Sequence, residues 1–372
     1  MSTLIAGTCT PAVVVDVEVL DRNINSWSAR FAERAVGLRP HTKTSKCTEI
    51  IARQVAAGAV GLTVATIGEA ESLAQRGFDR LFQAYPVWAG TPERARRLRA
   101  LHERVDLMVG VESADSAVAL AVAARGTSRP LAVVLEVDCG MRRSGVALPE
   151  LSLLARRSLD LGLDVRGAFT YGGHAYANCD APPAAGDDEV RTLQDAESLL
   201  RAEGVEPTVL SAGSTPSAVY SARPPVTDER PGTYVFMDRQ QIALGAGSID
   251  DVSMYVLTTV VASHTDGRFV LDAGSKVIGT DRPSWLEGHG FLPAYPAAVV
   301  TRLSEHHAVV EARGPRPRVG EVLALVPNHC CVVVNLTDTL WAAARVDPLE
   351  PADLLSSSDL QRWPVISRGS NT

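Results

Sequence analysis

The sequence predicts an α/β fold, a (β/α)8 TIM-type barrel followed by a β-rich C-terminal domain. Short β-branched runs alternate with helix-periodic stretches up to about Gln241, and beyond it strands joined by turns take over. The chain of 372 residues, 46% hydrophobic and 21% charged, is long enough for one large core or two separate ones.

The elements follow in order. Pro11 to Asp16 is a β-branched run closed by an acid, and Val17 to Phe31 has apolar residues at helical spacing. The same grammar recurs in Gly61 to Ala65 before a helix carrying Glu69, Ala70 and Glu71, in Leu81 to Tyr85, and in Asp106 to Val111 before an alanine-rich helix from Ser113 to Ala124. Strands at Leu131 to Val137, Val165 to Tyr171 and Thr208 to Ser211 complete a parallel sheet, closed as a barrel in preference to an open doubly wound sheet. After Gln241 the strands are Ser253 to Ser263, Arg268 to Asp272, Ala297 to Leu303, Ala308 to Glu311, Glu321 to Val326 and Cys331 to Asn335. The Pro- and Asp-rich stretch Ala181 to Asp188 and the loop from Ser221 read as excursions, and Arg313 to Arg318 as a hairpin turn.

Lys+Arg at 36 against Asp+Glu at 43 gives a net charge of −7, which argues against nucleic acid as the main partner. No apolar run reaches the roughly 18 residues that a membrane span needs, and the opening MSTLIAGTCT lacks the pattern of a secretory signal, so a cytoplasmic protein is expected. The six cysteines are scattered, and reduced thiols are the default. Only Lys43, Lys46 and Lys276 are lysines, either positions where chemistry does not let arginine substitute or survivors of chance.

Three segments carry candidate chemistry. In Arg39-Pro-His-Thr-Lys43 the proline favours extended backbone, so Lys43 falls at the end of a barrel strand, where barrel enzymes keep their catalysts. There a lysine can form a Schiff base with an aldehyde cofactor and move a proton at Cα, although the octapeptide Arg39 to Lys46 taken alone is also a solvated basic loop. Ser211 to Ser217 and Arg230 to Tyr234 are Gly-containing loops rich in hydroxyls, suited to a phosphate or to a plain turn. In Asn328-His329-Cys330-Cys331, alternation along a strand puts His329 and Cys331 on one side and turns Cys330 away. A nitrogen and a thiolate suit zinc, two ligands leave the coordination open, and the bare pair is also a packed histidine beside a thiol.

With these residues in place the chain resembles the D-threonine aldolase and eukaryotic-type D-serine dehydratase group, pyridoxal-phosphate enzymes built like alanine racemase. The markers are TPAVVVD (Thr10 to Asp16), RPHTK (Arg39 to Lys43), VATIGEAE (Val64 to Glu71), DCGMRRSG (Asp138 to Gly145), GGHAY (Gly172 to Tyr176), SAGSTPS, RPGTYVFMD (Arg230 to Asp238), LDAGSK (Leu271 to Lys276) and PNHCC, in family order. The resemblance implies a pyridoxal 5′-phosphate barrel over residues 10–240 and a β domain over 241–372 that carries the metal pair and takes in an N-terminal strand at about residues 1–10. It implies a homodimer, with sites near both the barrel mouth and the partner's β domain. By the same carry-over Lys43 is the Schiff-base lysine, His41 lies beside the cofactor, and Arg142 and Tyr176 position its ring. Ser214, Thr215, Gly232 and Tyr234 contribute to phosphate binding, and His329 and Cys331 hold a divalent metal, zinc or manganese. One departure is Ser45, where family members often have histidine.

The activity implied is elimination of water from a D-configured β-hydroxy amino acid, of the D-serine or D-threo-3-hydroxyaspartate type, to give a 2-oxo acid and ammonia. The alternative is retro-aldol cleavage to glycine and an aldehyde. The Cys331 thiolate favours the dehydratase branch, since the aldolase branch more often pairs histidine with a carboxylate. An amino-acid racemase and a non-catalytic cofactor carrier are further alternatives.

Overall fold

The computed structural model of the protein describes residues 8–372, and the chain divides into two compact units. Trp27–Lys43, Gln54–Gly232 and Gly369–Thr372 form a barrel unit; the segment ending at Ser26, Thr44–Arg53 and Thr233–Arg368 form a β-rich unit. Strand β1 (Ala12–Asp16) belongs to the latter.

The barrel is built from β2 (Gly37–Leu38), β3 (Leu62–Val64), β4 (Arg80–Gln83), β5 (Asp106–Val111), β6 (Ala132–Glu136), β7 (Asp164–Phe169), β8 (Val209–Ala212) and β9 (Asp228–Glu229). Every pairing is parallel, in the order β2-β9-β8-β7-β6-β5-β4-β3. The ends meet through a parallel bridge between His41 and Thr63, with the Thr42 N–H donating to Thr63 at 2.9 Å and the Thr63 N–H to Pro40 at 2.8 Å. Helices alternate with these strands, as the sequence pattern requires, and short side chains cap them: Thr66 accepts from the Glu69 N–H at 3.1 Å and Ser113 from the Ser116 N–H at 3.2 Å.

The barrel core includes Phe82, Val134, Phe169 and Val209, with the two phenylalanines edge to face at 5.2 Å. Arg230 lies buried over both rings, 5.3 Å from Phe169 and 5.8 Å from Phe82, and donates to Ser211 Oγ at 2.5 Å and to the Thr170 carbonyl at 2.6 Å. Burial raises the pKa of Glu136, Glu189 and Glu229, which share this interior with Arg230.

The β-rich unit adds β10 (Met254–Ser263), β11 (Arg268–Leu271), β12 (Gly290–Phe291), β13 (Val299–Leu303), β14 (Ala308–Glu311), β15 (Val322–Pro327), β16 (Thr339–Ala343) and β17 (Gln361–Pro364). The order is β13-β14-β11-β10-β1-β16-β17, with β15 also on β10 and β12 on β15.

Four expectations change. Strand Ala12–Asp16, read as the opening of the barrel segment, lies between β10 and β16 with every residue buried. A continuous apolar run marks a strand covered on both faces without saying which sheet holds it. The N-terminal strand expected at about residues 1–10 falls largely on residues outside those described. Ala181 to Asp188 is not a loop but the start of the helix Ala181–Ala202, with Pro182 and Pro183 in the first turn, where a missing N–H costs nothing. Arg313 to Arg318 is no hairpin turn, because β14 and β15 do not pair with each other. Cys331 to Asn335 is not a strand: Cys330–Leu336 is a helix, so tertiary packing overrides the β preference of its three valines.

Candidate active site

Because all eight barrel strands are parallel, the loops after them open at one mouth. His41 and Lys43 follow β2; Arg142 follows β6; Tyr176 follows β7; Ser214 and Thr215 follow β8; Gly232 follows β9. Five strand ends far apart in sequence thus bring these predicted residues to the same end of the barrel. Lys43 is exposed there, its backbone N–H 3.5 Å from His41 Nδ1.

Two loops are shaped by local carboxylates. Asp138 Oδ1 accepts the N–H groups of Gly140 at 2.9 Å and Arg142 at 3.0 Å, holding Arg142 at a positive φ of 56°, so Asp138 is a loop-forming acid. His174, in the loop of Tyr176, pairs through Nε2 with Asp188 at 3.1 Å.

Ser214 starts the short helix Thr215–Ser221, its N–H donating to Ser217 Oγ at 3.0 Å. Thr215 Oγ1 is buried in the barrel unit, and Thr233 Oγ1 in the β-rich unit, each without a hydrogen-bond partner. Hydroxyls sealed from water without an acceptor fit the oxygens of a phosphate. Tyr234 belongs to the β-rich unit, where it is fully buried.

The other two lysines have different tasks. Lys46 is buried, with φ of 44°, and its Nζ donates to Asn335 Oδ1 at 3.0 Å and the Ser367 carbonyl at 3.4 Å. Lys276 pairs with Glu305 at 3.2 Å in solvent.

Within the β-rich unit, His329 caps the helix Cys330–Leu336 and Cys331 is its second residue. The two side chains meet at this junction of extended chain and helix, not by alternation along a strand. Cys330 is buried, and its N–H donates to Asp238 at 3.0 Å. Asp281 Oδ2 lies 2.6 Å from His329 Nδ1, which leaves Nε2 for another ligand, and Thr44 Oγ1 is 3.2 Å from the Cys331 sulfur. Burial alone lowers the pKa of His329. The negative sulfur of Cys331 and the bond to Asp281 outweigh that and push it up to about 11, so the position favours positive charge.

Among the described residues no cluster of three or more His, Cys, Asp or Glu side chains is arranged to hold a metal, and His329 and Cys331 are two candidate ligands. A nitrogen, a sulfur and a carboxylate behind the imidazole fit a borderline divalent cation such as zinc.

Sequence reasoning missed Asp281, Asp238 and Thr44. Asp238 closes the RPGTYVFMD motif and Thr44 follows Lys43, so both stood beside quoted motifs. Asp281, 48 residues before His329, left no local signal.

Residues 15–240 match the family described as alanine racemase, N-terminal domain, and residues 253–343 the putative serine dehydratase domain. D-threo-3-hydroxyaspartate dehydratase of Delftia sp. (strain HT23) is 34% identical over 349 residues, covering 87% of this chain and 90% of its own. D-threonine aldolase of Arthrobacter sp. is 30% identical over 343 residues, covering 89% and 88%. A solved D-threo-3-hydroxyaspartate dehydratase, a cysteine-to-alanine variant in the metal-free form, superposes with a TM-score of 0.86 at 30% identity over 98% of both chains. The chain belongs to the alanine racemase-like, fold type III pyridoxal-phosphate enzymes. Within them it groups with the D-threo-3-hydroxyaspartate dehydratase, D-threonine aldolase and D-serine dehydratase relatives. No helix of the described residues is long and apolar enough to cross a membrane.

Proposed function

We propose that this protein is a pyridoxal-phosphate-dependent, metal-assisted lyase that eliminates water from D-configured β-hydroxy amino acids, giving a 2-oxo acid and ammonia. The observation that carries the reading is the contact of His329 with Cys331, a nitrogen and sulfur pair backed by Asp281. Racemisation and cofactor carriage have no use for it. The metal-free cysteine variant of a dehydratase relative supports the same reading.

Bound pyridoxal phosphate supplies an electron sink for the Cα electron pair, and a divalent metal, zinc before manganese, supplies a Lewis acid for the β-oxygen. Lys43 holds the cofactor and takes the Cα proton; His41 lies beside it. Arg142 and Tyr176 orient the ring, and Ser214, Thr215, Gly232 and Tyr234 bind the phosphate. His329 Nε2 and the Cys331 thiolate hold the metal, with Asp281 fixing the imidazole. The barrel unit carries Lys43 and the loops after its strands, and His329 and Cys331 lie in the β-rich unit.

One observation favours retro-aldol cleavage as the second reading: a carboxylate, Asp281, does stand at His329, and the Arthrobacter aldolase is similar over most of its length. We further propose a homodimer in the cytoplasm, the latter supported by six free cysteines.

Two measurements test the proposal together. Protein reconstituted with pyridoxal phosphate and zinc or manganese releases ammonia from D-serine or D-threo-3-hydroxyaspartate and none from L-serine. Borohydride reduction followed by peptide mass spectrometry finds the cofactor on Lys43. Cofactor on Lys46 or Lys276, or ammonia from the L-isomer alone, contradicts it.

A further inference from the structure

Glu189 sits in the helix Ala181–Ala202, fully buried, and none of the chemistry above uses it. Its Oε1 accepts two backbone N–H groups, Gly172 at 2.7 Å and Gly213 at 2.9 Å. Gly172 lies in the loop after β7, past Thr170 and Tyr171; Gly213 opens the hydroxyl loop after β8. One carboxyl oxygen therefore ties the loop at the next strand end to the loop before it.

The fit leaves no room for side chains. A Cβ on Gly172 falls 2.7 Å from Glu189 Cδ, and one on Gly213 falls 1.9 Å from Oε2 of Glu229, with φ at Gly213 already +99°. Gly213 is held between two buried carboxyls, and the glycines of both motifs are the space those carboxyls occupy. Two residues beyond it, Thr215 Oγ1 waits buried and without a partner.

We infer that Glu189 is the positioning residue of the cofactor-phosphate loop, holding Gly213, and through it Thr215, in register against the end of β7. This rests on the proposed reading of that loop. Burial raises the pKa of Glu189. A carboxyl accepts through Oε1 whether or not it carries a proton on Oε2, and glutamine reproduces that acceptor at the same length. Aspartate keeps the acid but falls one methylene short of both amides.

The test compares pyridoxal phosphate with pyridoxal, which has the same ring and aldehyde but no phosphate, by absorbance titration of wild type, Glu189→Ala, Glu189→Asp and Glu189→Gln. For Glu189→Ala and Glu189→Asp the affinity for pyridoxal phosphate falls roughly tenfold or more relative to that for pyridoxal, the scale on which buried donors left without an acceptor are felt. Glu189→Gln stays within about threefold of wild type, since it keeps the acceptor. If Glu189→Ala does not fold, Glu189→Asp decides. Equal losses for both ligands, or none in the alanine and aspartate variants, overturn the inference. A wild type that does not prefer pyridoxal phosphate to pyridoxal overturns the phosphate-loop reading itself, and the inference with it.

Discussion

The barrel mouth and the His329–Cys331 junction are built on opposite principles. The mouth draws its residues from the ends of five strands, from His41 to Gly232, and parallel topology alone collects them. The proposed metal pair comes from two residues separated by one position, set at each other by a single change from extended chain to helix. Topology tolerates change within any one loop while its strands hold. A local junction depends on its immediate supports, here Asp238 on the Cys330 N–H and Asp281 on His329. Damage to the two regions should therefore separate.

The largest effect breaks the mouth alone. Lys43→Ala removes covalent cofactor attachment and lowers turnover by about 10³-fold or more, while bound metal, read by elemental analysis, stays near wild type. Cys331→Ala breaks the other side: metal occupancy falls and turnover drops by roughly 10²-fold, the worth of a Lewis acid reduced by the occupancy that remains. The Lys43 cofactor absorbance remains. If the absorbance vanished with the metal, the two regions would not be separable.

A smaller change sharpens the contrast. Asp281→Asn keeps the side chain's shape but weakens its hold on the His329 ring, and metal affinity in a chelator competition falls by roughly 10–100-fold. The cofactor affinity does not move.

The smallest effect is on stability within the barrel. Burial holds the pKa of Glu229 well above its ordinary value, with Glu189 adding to the shift and Ser221 and Arg230 opposing it. The folded state therefore keeps a proton that the unfolded state has released. The stability associated with Glu229 is present below the ordinary carboxylate range and declines as pH rises above it. Glu229→Gln removes that decline, so its stability relative to wild type, from urea melts at pH 5 and pH 8, rises with pH. A difference that falls or stays flat contradicts the assignment.

How much of this was legible differs between the regions in the same way. The barrel was readable because strands such as Asp106–Val111 and helices capped by Ser113 follow local rules. The two-residue strands Gly37–Leu38 and Asp228–Glu229 were too short to show any period. Lys43 stood out by the scarcity of lysine, but the company it keeps at the mouth came from resemblance, since spacing along the chain carries no record of which strand ends coincide. For the metal pair the neighbourhood of His329 and Cys331 was visible while its local structure was not: three consecutive valines read as strand and fold as helix. Asp281 and Glu189 were invisible because both act through contacts made only on folding.

The most direct measurement is product analysis of metal-loaded, cofactor-saturated protein with D-serine, D-threonine and D-threo-3-hydroxyaspartate. We expect 2-oxo acid and ammonia in equal amounts, lost in both Lys43→Ala and Cys331→Ala. Glycine and an aldehyde as the products, with no oxo acid, would contradict the dehydratase and make the protein an aldolase.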